Sequence, residues 1–527
     1  MRALHSRLAG LLVFFALAAG LLSCTKPAPA PAAPQAPEGE LTLFFMADLE
    51  GYLEPCGCVA DQLGGIDRAA AAIEAVPAGG RLLLHSGNTL AGTEGGAQAG
   101  PQRALKAKAL AQVLGRLEAH TLTGPADAAL LAELEAPPQG LTALSGRARV
   151  EVAGRQVDLY VARGETEAAL IAAAKAGAEA LGAGAALRLL IAQAPAEVAQ
   201  AAAPALAGTV DLILVGGHRD FAQGLRRQVL LGEGPPVLQP MSQGRELLVI
   251  EARVPAGPRA APKILSGRLD ASEAQALLDK RIARYQGRLD EARRDKDEAT
   301  AQSLEAKIAG LQRRRAAAAE GPVPWPPGEA ALAWRFLPLK RDAPSAPWAQ
   351  AAVQGYQREV GALNLAWDAA NAQPCPAPPE GEPSYVGSVA CVGCHPGADA
   401  FWKTTRHAHA WETLSQAGRE ADYECVSCHV TGWEAPGGVC RLTGLTEAEG
   451  ARLGGAQDVG CEACHGPSSA HLAAQTPSER RLSVIRDPAP STCAQCHRGD
   501  HSPSFDFPAY RAKVIGPGHG QPAPEGP

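Results

Sequence analysis

The motif Cys-X-X-Cys-His occurs four times in the last third of this 527-residue chain. Its copies are Cys391, Cys394 and His395; Cys425, Cys428 and His429; Cys461, Cys464 and His465; and Cys493, Cys496 and His497. Two thiols on one helical turn can reach the two vinyl groups of haem, and the adjoining histidine then lies under the iron. The sequence therefore predicts four covalently bound haem c groups. Zinc sites or disulfides are the alternative use of such cysteine pairs.

The sixth position of each haem iron determines whether the iron transfers electrons or binds a small molecule. The three methionines, Met1, Met46 and Met241, all lie far upstream of the motifs, so histidine is the expected ligand. The motif region has five further histidines for four positions, namely His407, His409, His471, His501 and His519. A single residue separates His409 from His407, so we expect His409 to be the spare.

The first 24 residues have the layout of an export signal. Two arginines precede an apolar run from Leu8 to Leu22, which is short for a membrane span and typical of a signal peptide. The run ends at Ser23-Cys24, which resembles a bacterial lipobox with a lipidated cysteine. We predict a lipoprotein signal peptide over 1–24, a Pro/Ala tether over 25–40 and a lipid anchor on Cys24 that holds the protein at the membrane, in the periplasm or at the outer membrane. An ordinary secretory signal is the alternative.

Four cysteines remain outside the motifs and the signal segment. Cys375 and Cys440 are expected to be either paired or free. Cys56 and Cys58, in the stretch EPCGC, are too close for an easy mutual disulfide. Metal binding, a redox role, pairing elsewhere and two ordinary buried thiols all stay open for this pair.

The C-terminal stretches YVGSVACVGCH, FWKTTRHAHAWETL, YECVSCHVTGW, VGCEACHGPSSAH, CAQCHRGDHSPSFDFPAY and VIGPGHG are similar, in content and order, to multihaem cytochromes of the cytochrome c-554 type. The similarity covers about 384–520. It implies four haems, mostly with two histidine ligands, that pass electrons in the periplasm. By position it implies that His407, His471 and His519 are distal ligands, with His501 as the fourth. Some family members leave one haem five-coordinate.

The front of the chain alternates short apolar runs with Ala-rich stretches. The predicted strands are LTLFFMAD, RLLLHSG, VDLYVARG, LRLLIAQA, VDLILVGG and LLVIEARV, and the predicted helices are GIDRAAAAIEAV, QRALKAKALAQVLGRLE and ETEAALIAAAKAGAEALG. This alternation is typical of an α/β domain with a mainly parallel sheet and functional residues at the strand ends. We place this domain at 41–268.

The blocks FFMADLEGYLEPCGCVADQLGGIDRAA, LLLHSGN and VDLILVGGHRD resemble those of calcineurin-like metallophosphoesterases related to 5′-nucleotidases. The resemblance implies metal ligands in Asp-X-His, Gly-Asp, Gly-Asn-His and Gly-His-X-His blocks. Asp48 matches, but Glu50 replaces the first histidine and Asn88 the second aspartate. HTLTGPADAAL has no Gly-Asn-His, and Arg219-Asp220 follow His218. A two-metal site needs several ligands together, so we predict a degenerate scaffold without hydrolase activity.

Three further segments complete the predicted organisation. Apolar residues at four- and three-residue spacing beside dense charge predict a helical hairpin over 269–320 that turns near Asp295. The proline-rich segment 321–382 is a connector expected to pack on one domain or both. Residues 383–527 form the mainly α or irregular tetrahaem cytochrome c domain.

The leading functional hypothesis is electron transfer between redox protein partners. A formal net charge of -6 does not favour nucleic-acid binding, which needs clustered Lys and Arg. The alternatives are a multihaem oxidoreductase that acts on a small nitrogen or sulfur compound at an open haem, and a metal-dependent phosphohydrolase with an attached redox module. Whether the protein is an enzyme stays open.

Overall fold

The structure is a computed structural model. It describes residues 37–519 apart from 56–61, 91–99, 123, 135–137, 165, 217–226, 266–270, 295, 320–323, 445–446, 498–501, 503–504 and 517–518. The predicted signal peptide with Cys24, most of the tether, the Cys56/Cys58 pair and His501 lie outside the described residues.

The strands that the structure describes lie between Glu40 and Pro338. They are β1 (Glu40–Met46), β2 (Arg81–His85), β3 (His120–Leu122), β4 (Thr142–Leu144), β5 (Arg147–Val152), β6 (Arg155–Arg163), β7 (Leu187–Gln193), β8 (Leu212–Gly216), β9 (Gln228–Leu230), β10 (Val237–Gln239), β11 (Glu246–Arg253), β12 (Lys263–Ile264) and β13 (Ala331–Pro338). The helices up to the motif region are α1 (Ile66–Glu74), α2 (Gly100–Arg116), α3 (Pro125–Ala132), α4 (Glu167–Leu181), α5 (Ala196–Ala202), α6 (Ala271–Arg294), α7 (Glu298–Ala319) and α8 (Pro347–Asn371).

The strands form two mixed sheets. The first has the order β12-β13-β11-β1-β2-β3-β4 and the second the order β5-β6-β7-β8-β10-β9. In the first sheet β1 pairs in parallel with β2, Phe45 lying beside Leu84, whereas β11 returns antiparallel on the other side of β1. The predicted α/β class is confirmed, with two mixed sheets where one mainly parallel sheet was predicted.

The front part is built in four layers, helix, sheet, sheet and helix. Successive side chains of a strand point to opposite faces. Leu43 and Phe45 of β1 therefore pack between the sheets against residues such as Leu189, while Phe44 and Met46 pack outward with helices α1, α2 and α8. The outer face of the second sheet packs on α4 and α5. Strands buried on both faces explain the almost continuous apolar runs in the sequence.

The segment between the front domain and the motif region contains a helical hairpin, β13 and α8. Helices α6 and α7 form the predicted hairpin and pack on each other through Leu289, Leu304 and Ile308. The segment expected to be a connector supplies β13 to the first sheet, where it pairs with β11 along its length. It also supplies α8, which packs on α1 and α2 and forms hydrogen bonds with the motif region.

A disulfide joins Cys375, just after α8, to Cys440 in the motif region, across a sequence separation of 65 residues. Closing a loop of this length reduces the entropy of the unfolded chain, which stabilises the folded state by about 4 kcal/mol. We expect replacement of both cysteines with alanine to lower the free energy of unfolding by about that amount. Guanidinium denaturation of the haem-loaded protein measures it, and an unchanged midpoint would contradict it.

The motif region consists of short helices. They are α9 (Val389–Val392), α10 (Pro396–Trp402), α11 (Ala410–Ala417), α12 (Tyr423–His429), α13 (Glu447–Ala456), α14 (Cys461–His465), α15 (Ser469–Ala473), α16 (Pro477–Leu482), α17 (Pro490–Cys493) and α18 (Phe507–Arg511). This agrees with the predicted mainly helical or irregular C-terminal region. In the part of the chain that the structure describes, no helix is both long and apolar enough to cross a membrane.

Candidate haem centres

Each of the four motifs begins on a short helix. Cys391 lies in α9, Cys425 in α12, Cys461 in α14 and Cys493 at the end of α17. In the second and third motifs both cysteines lie within the helix, and helical geometry places residues i and i+3 on one face, so both thiols of these motifs point to the same side. All eight motif cysteines are outside disulfides. The motifs therefore keep the thiols that haem attachment requires.

Three of the four motif histidines face a second histidine ring. The ring centroids of His395 and His471 are 6.2 Å apart, with 30° between the planes. Those of His465 and His519 are 6.3 Å apart at 16°, and those of His407 and His497 are 6.1 Å apart at 44°. The second rings belong to the three histidines that the resemblance to cytochrome c-554 implies as distal ligands.

These separations fit a metal ion held between two imidazoles. A metal–imidazole bond is about 2 Å long, and the nitrogen lies about 1 Å from the ring centre, so two opposed ligands have centroids roughly 6 Å apart. The donor set in each pair is the one that a low-spin haem iron takes.

Hydrogen bonds at Nδ1 orient these histidines and leave Nε2 for a metal. The Nδ1 atoms of His429, His465 and His471 lie 2.5, 2.6 and 2.9 Å from the carbonyl oxygens of Ala410, Ile485 and Arg480, respectively. A carbonyl can only accept, so each Nδ1 carries the proton. Metal-binding histidines usually have such a partner, which fixes the tautomer and the ring orientation.

Burial favours the neutral form of several of these rings. It lowers the pKa of His407, His429, His497 and His519, and for His407 and His519 the facing histidine lowers the pKa further. Only a neutral imidazole has the lone pair that binds iron. The protein environment therefore favours the ligand form.

The second motif differs from the others. Among the described residues, no second histidine ring faces His429. His409, expected to be the spare, lies with Nδ1 3.2 Å from a Glu412 oxygen and Nε2 3.1 Å from the Lys403 carbonyl oxygen, so both nitrogens have local partners. His501 is outside the described residues.

Neighbouring motifs are close to one another. The thiols of Cys391 and Cys461 share a hydrogen bond, and Cys493 raises the pKa of Cys464, although burial raises it more. His407, which faces His497, lies three residues before Ala410, whose carbonyl accepts from His429. The contacts thus connect the first motif to the third, the third to the fourth, and the fourth to the second.

The strand ends of the front part hold the residues compared above with a two-metal site. Asn88 Nδ2 donates to Asp48 Oδ1 at 2.9 Å, and Gln243 Nε2 donates to Glu50 Oε2 at 3.1 Å. Asp127 accepts from the backbone N–H groups of Thr89 and Leu90. Asp48, the residue that matches the metal-ligand blocks, thus accepts from Asn88, which stands where those blocks have an aspartate.

No cluster of three or more potential metal ligands occurs within the described residues. The block from Gly217 to Asp220 lies outside them.

The front domain holds the second motif through a buried polar network. Arg419 Nη1 lies 2.8 Å from Glu54 Oε2, and Lys106 Nζ lies 2.5 Å from Glu424 Oε2. Burial opposes the charge of Arg419, but Asp422 and Glu54 raise its pKa. Sequence reasoning missed this network, because its members are single polar residues in unrelated segments.

Comparison with known proteins identifies the C-terminal region. Residues 390–466 match the family model described as cytochrome c554 and c-prime. Cytochrome c-554 of Nitrosomonas europaea is 35% identical in a 98-residue alignment that covers 16% of this chain and 38% of that protein. The chain therefore spans well under half the length of this relative.

Solved structures similar to the chain include phosphoesterases. The sulfate thiohydrolase SoxB of Thermus thermophilus, in complex with glycerol, has a TM-score of 0.36 and 14% identity, with 62% of each chain covered. A putative 5′-nucleotidase of Staphylococcus aureus has a TM-score of 0.30 and 13% identity, covering 40% of this chain and 51% of that one. A calcineurin-like phosphoesterase of Bacillus subtilis has a TM-score of 0.28 and 14% identity, covering 42% and 87%.

Proposed function

From a C-terminal region homologous to cytochrome c-554, we propose that this protein is a tetrahaem c-type cytochrome that transfers electrons between redox protein partners. It is exported to the periplasm or outer membrane and lipid-anchored through Cys24, with 1–24 as signal peptide. The front domain, at 41–268, is a degenerate phosphoesterase scaffold. The hairpin at 269–320 and the connector at 321–382 join it to the cytochrome domain at 383–527.

The observation that supports this proposal most strongly is the set of three opposed histidine pairs. Each joins the proximal histidine of one motif to a histidine distant in sequence, at the separation that two ligands of one iron require. Disulfides would give no reason for a second histidine to face a Cys-X-X-Cys-His motif, and a tetrahedral zinc ion would bring two bound imidazoles closer together than two ligands on opposite sides of one ion. We assign His471 to the first haem, His519 to the third and His407 to the fourth.

The residues of the chain would have three tasks in this function. The motif cysteines hold the haems covalently, and a bound haem supplies a one-electron couple. The paired histidines would hold the iron of three haems through their ring nitrogens. The carbonyls of Ala410, Ile485 and Arg480 accept hydrogen bonds from the Nδ1–H groups of three histidines and fix the orientation of their rings.

The close contacts between motifs support a route for electrons. The order is first, third, fourth and second haem, because Cys391 is next to Cys461, Cys464 is close to Cys493, and the His407 segment leads to His429. The first haem would exchange electrons with one partner. The second haem ends the route beside the front domain.

Haem content and spin state test the proposed function. Mature protein from a host that attaches haem c should give four haems per chain by pyridine haemochrome and mass. Paramagnetic resonance should show three low-spin haems, and the protein should exchange electrons with another c-type cytochrome. A colourless, correctly exported protein with zinc or disulfides at the eight motif cysteines would contradict the proposal.

A second candidate function is chemistry on a small nitrogen or sulfur compound at the second haem. It is favoured by the absence, within the described residues, of a histidine that faces His429. An iron with an open sixth position is high-spin and binds carbon monoxide when reduced. Carbon monoxide binding at one haem, followed by turnover of nitrite or sulfite, would support this candidate, and four low-spin haems that do not bind carbon monoxide would exclude it.

A further inference from the structure

Gln102 of the front domain is completely buried, and its amide contacts both of the other parts of the chain. Its Nε2 donates to Asp422 Oδ1 at 2.5 Å and to the Tyr356 hydroxyl at 3.1 Å. Its Oε1 accepts from Asn364 Nδ2 at 2.6 Å and from the backbone N–H of Tyr423 at 3.2 Å. Two donors and two acceptor positions are all that this amide has, so every one is used.

The contacts of Gln102 converge on the start of α12, the helix that bears Cys425, Cys428 and His429. Asp422 is the N-cap of this helix, and its Oδ1 accepts from the Glu424 backbone N–H at 3.0 Å as well as from Gln102. The other oxygen, Oδ2, accepts from Arg419 Nε at 2.8 Å. Because α12 is one short rigid element, its N-cap position determines where the haem-binding residues lie.

Two ion pairs around this N-cap also join the front domain to the motif region. Lys106, one helical turn after Gln102 on α2, pairs with Glu424, and both side chains are mostly buried. Glu54, from the segment after β1, pairs with Arg419. A buried amide and two buried cations therefore oppose the carboxylates beside Cys425.

We propose that the front domain positions the second haem through Gln102, while Lys106 pairs with Glu424 beside that haem. Together these two residues set the reduction potential of the second haem. This inference rests on the proposed tetrahaem function. Gln102 is a positioning residue, since it acts through α12 and does not contact the haem-binding residues themselves. The degenerate phosphoesterase scaffold thus has the role of positioning a redox centre.

The sign of the effect follows from electrostatics. Removal of the Gln102 amide or the Lys106 cation leaves negative charge less compensated near Cys425, and this stabilises the more positive, oxidised haem. Removal of the Glu424 carboxylate has the opposite effect. A purely structural role would not produce opposite shifts from Lys106 and Glu424.

The test compares Gln102→Leu, Lys106→Met and Glu424→Gln with the control Gln193→Leu in the full-length, haem-loaded protein. Gln193 donates to the Ser86 carbonyl within the front domain. Its replacement therefore removes a partly buried side-chain hydrogen bond that lies away from α12. Spectroelectrochemical titration measures the four potentials, and paramagnetic resonance follows each haem. The signal missing from a Cys425→Ala/Cys428→Ala variant identifies the second haem.

We expect Gln102→Leu and Lys106→Met to lower the potential of the second haem alone, Glu424→Gln to raise it, and Gln193→Leu to change none. If Gln102→Leu fails to fold, the opposite shifts from Lys106 and Glu424 decide the question. Four unchanged potentials, or equal shifts of all four haems, would overturn the inference. A wild-type protein with fewer than four haems would instead contradict the proposed function.

Discussion

Replacement of His471 with leucine should convert the haem at Cys391 and Cys394 from low-spin to high-spin and leave the other haems low-spin. His471 faces His395 at 6.2 Å between ring centroids, and leucine supplies no ligand in its place. The converted haem should then bind carbon monoxide when reduced. Paramagnetic resonance and the carbon monoxide difference spectrum measure both effects.

The same substitution at the other assigned positions should act on other haems. His519→Leu should convert the haem beside His465, and His407→Leu the one beside His497. His409→Leu is the matched control, because His409 lies two residues from His407 and its ring nitrogens lie against Glu412 and the Lys403 carbonyl. Low-spin spectra in all three variants, or a spin change in His409→Leu, would refute the assignments.

Local sequence patterns were sufficient for much of the front domain. The runs LTLFFMAD and RLLLHSG are buried strands, and the Ala-rich stretches between strands are helices, because period and apolar content there agree with the final packing. The strand β13 was missed. The whole hairpin lies between β11 and β13 in the sequence, so their pairing is non-local. The proline-rich residues around β13 indicated a connector instead.

In the candidate site, too, local features could be predicted from the sequence and long-range contacts could not. Motif spacing alone was sufficient to propose the haem-attachment cysteines and the proximal histidines, since the residues of each motif lie within about one helical turn. The partner of each distal histidine could not be predicted, because His407 and His519 are separated by long irregular segments from the rings that they face. The role of Gln102 left no trace in the sequence, since a single glutamine at the start of a helix is usually solvated.

Loss of haem attachment should unfold most of the C-terminal region while the front domain stays folded. The front domain has three extensive apolar cores. From 383 onward, the apolar residues buried among those the structure describes are few, namely Ala410, Leu414, Ala421, Tyr423, Val426, Val430, Val439 and Ala456. So small a core does not offset the entropy of ordering this many residues, so the haems must supply the rest.

The full-length chain with alanine at all eight motif cysteines tests this expectation by limited proteolysis. Cleavage should begin around the first, third and fourth motifs, at least roughly tenfold faster than in the haem-loaded protein. The second motif should resist longest, because Val426, Val430, Val439 and Ala456 pack together there and Gln102 holds its helix. Fragments that start within the front domain would contradict this order.

Single-motif variants make the comparison sharper. Removal of Cys461 and Cys464 should increase cleavage most, since the third motif contacts both the first and the fourth. Removal of Cys425 and Cys428 should increase it least, because the front domain and the local apolar cluster still hold α12. Equal sensitivity of the two variants would mean that the haems stabilise this region independently of their neighbours. An order opposite to the expected one would mean that the front domain does not support the second motif.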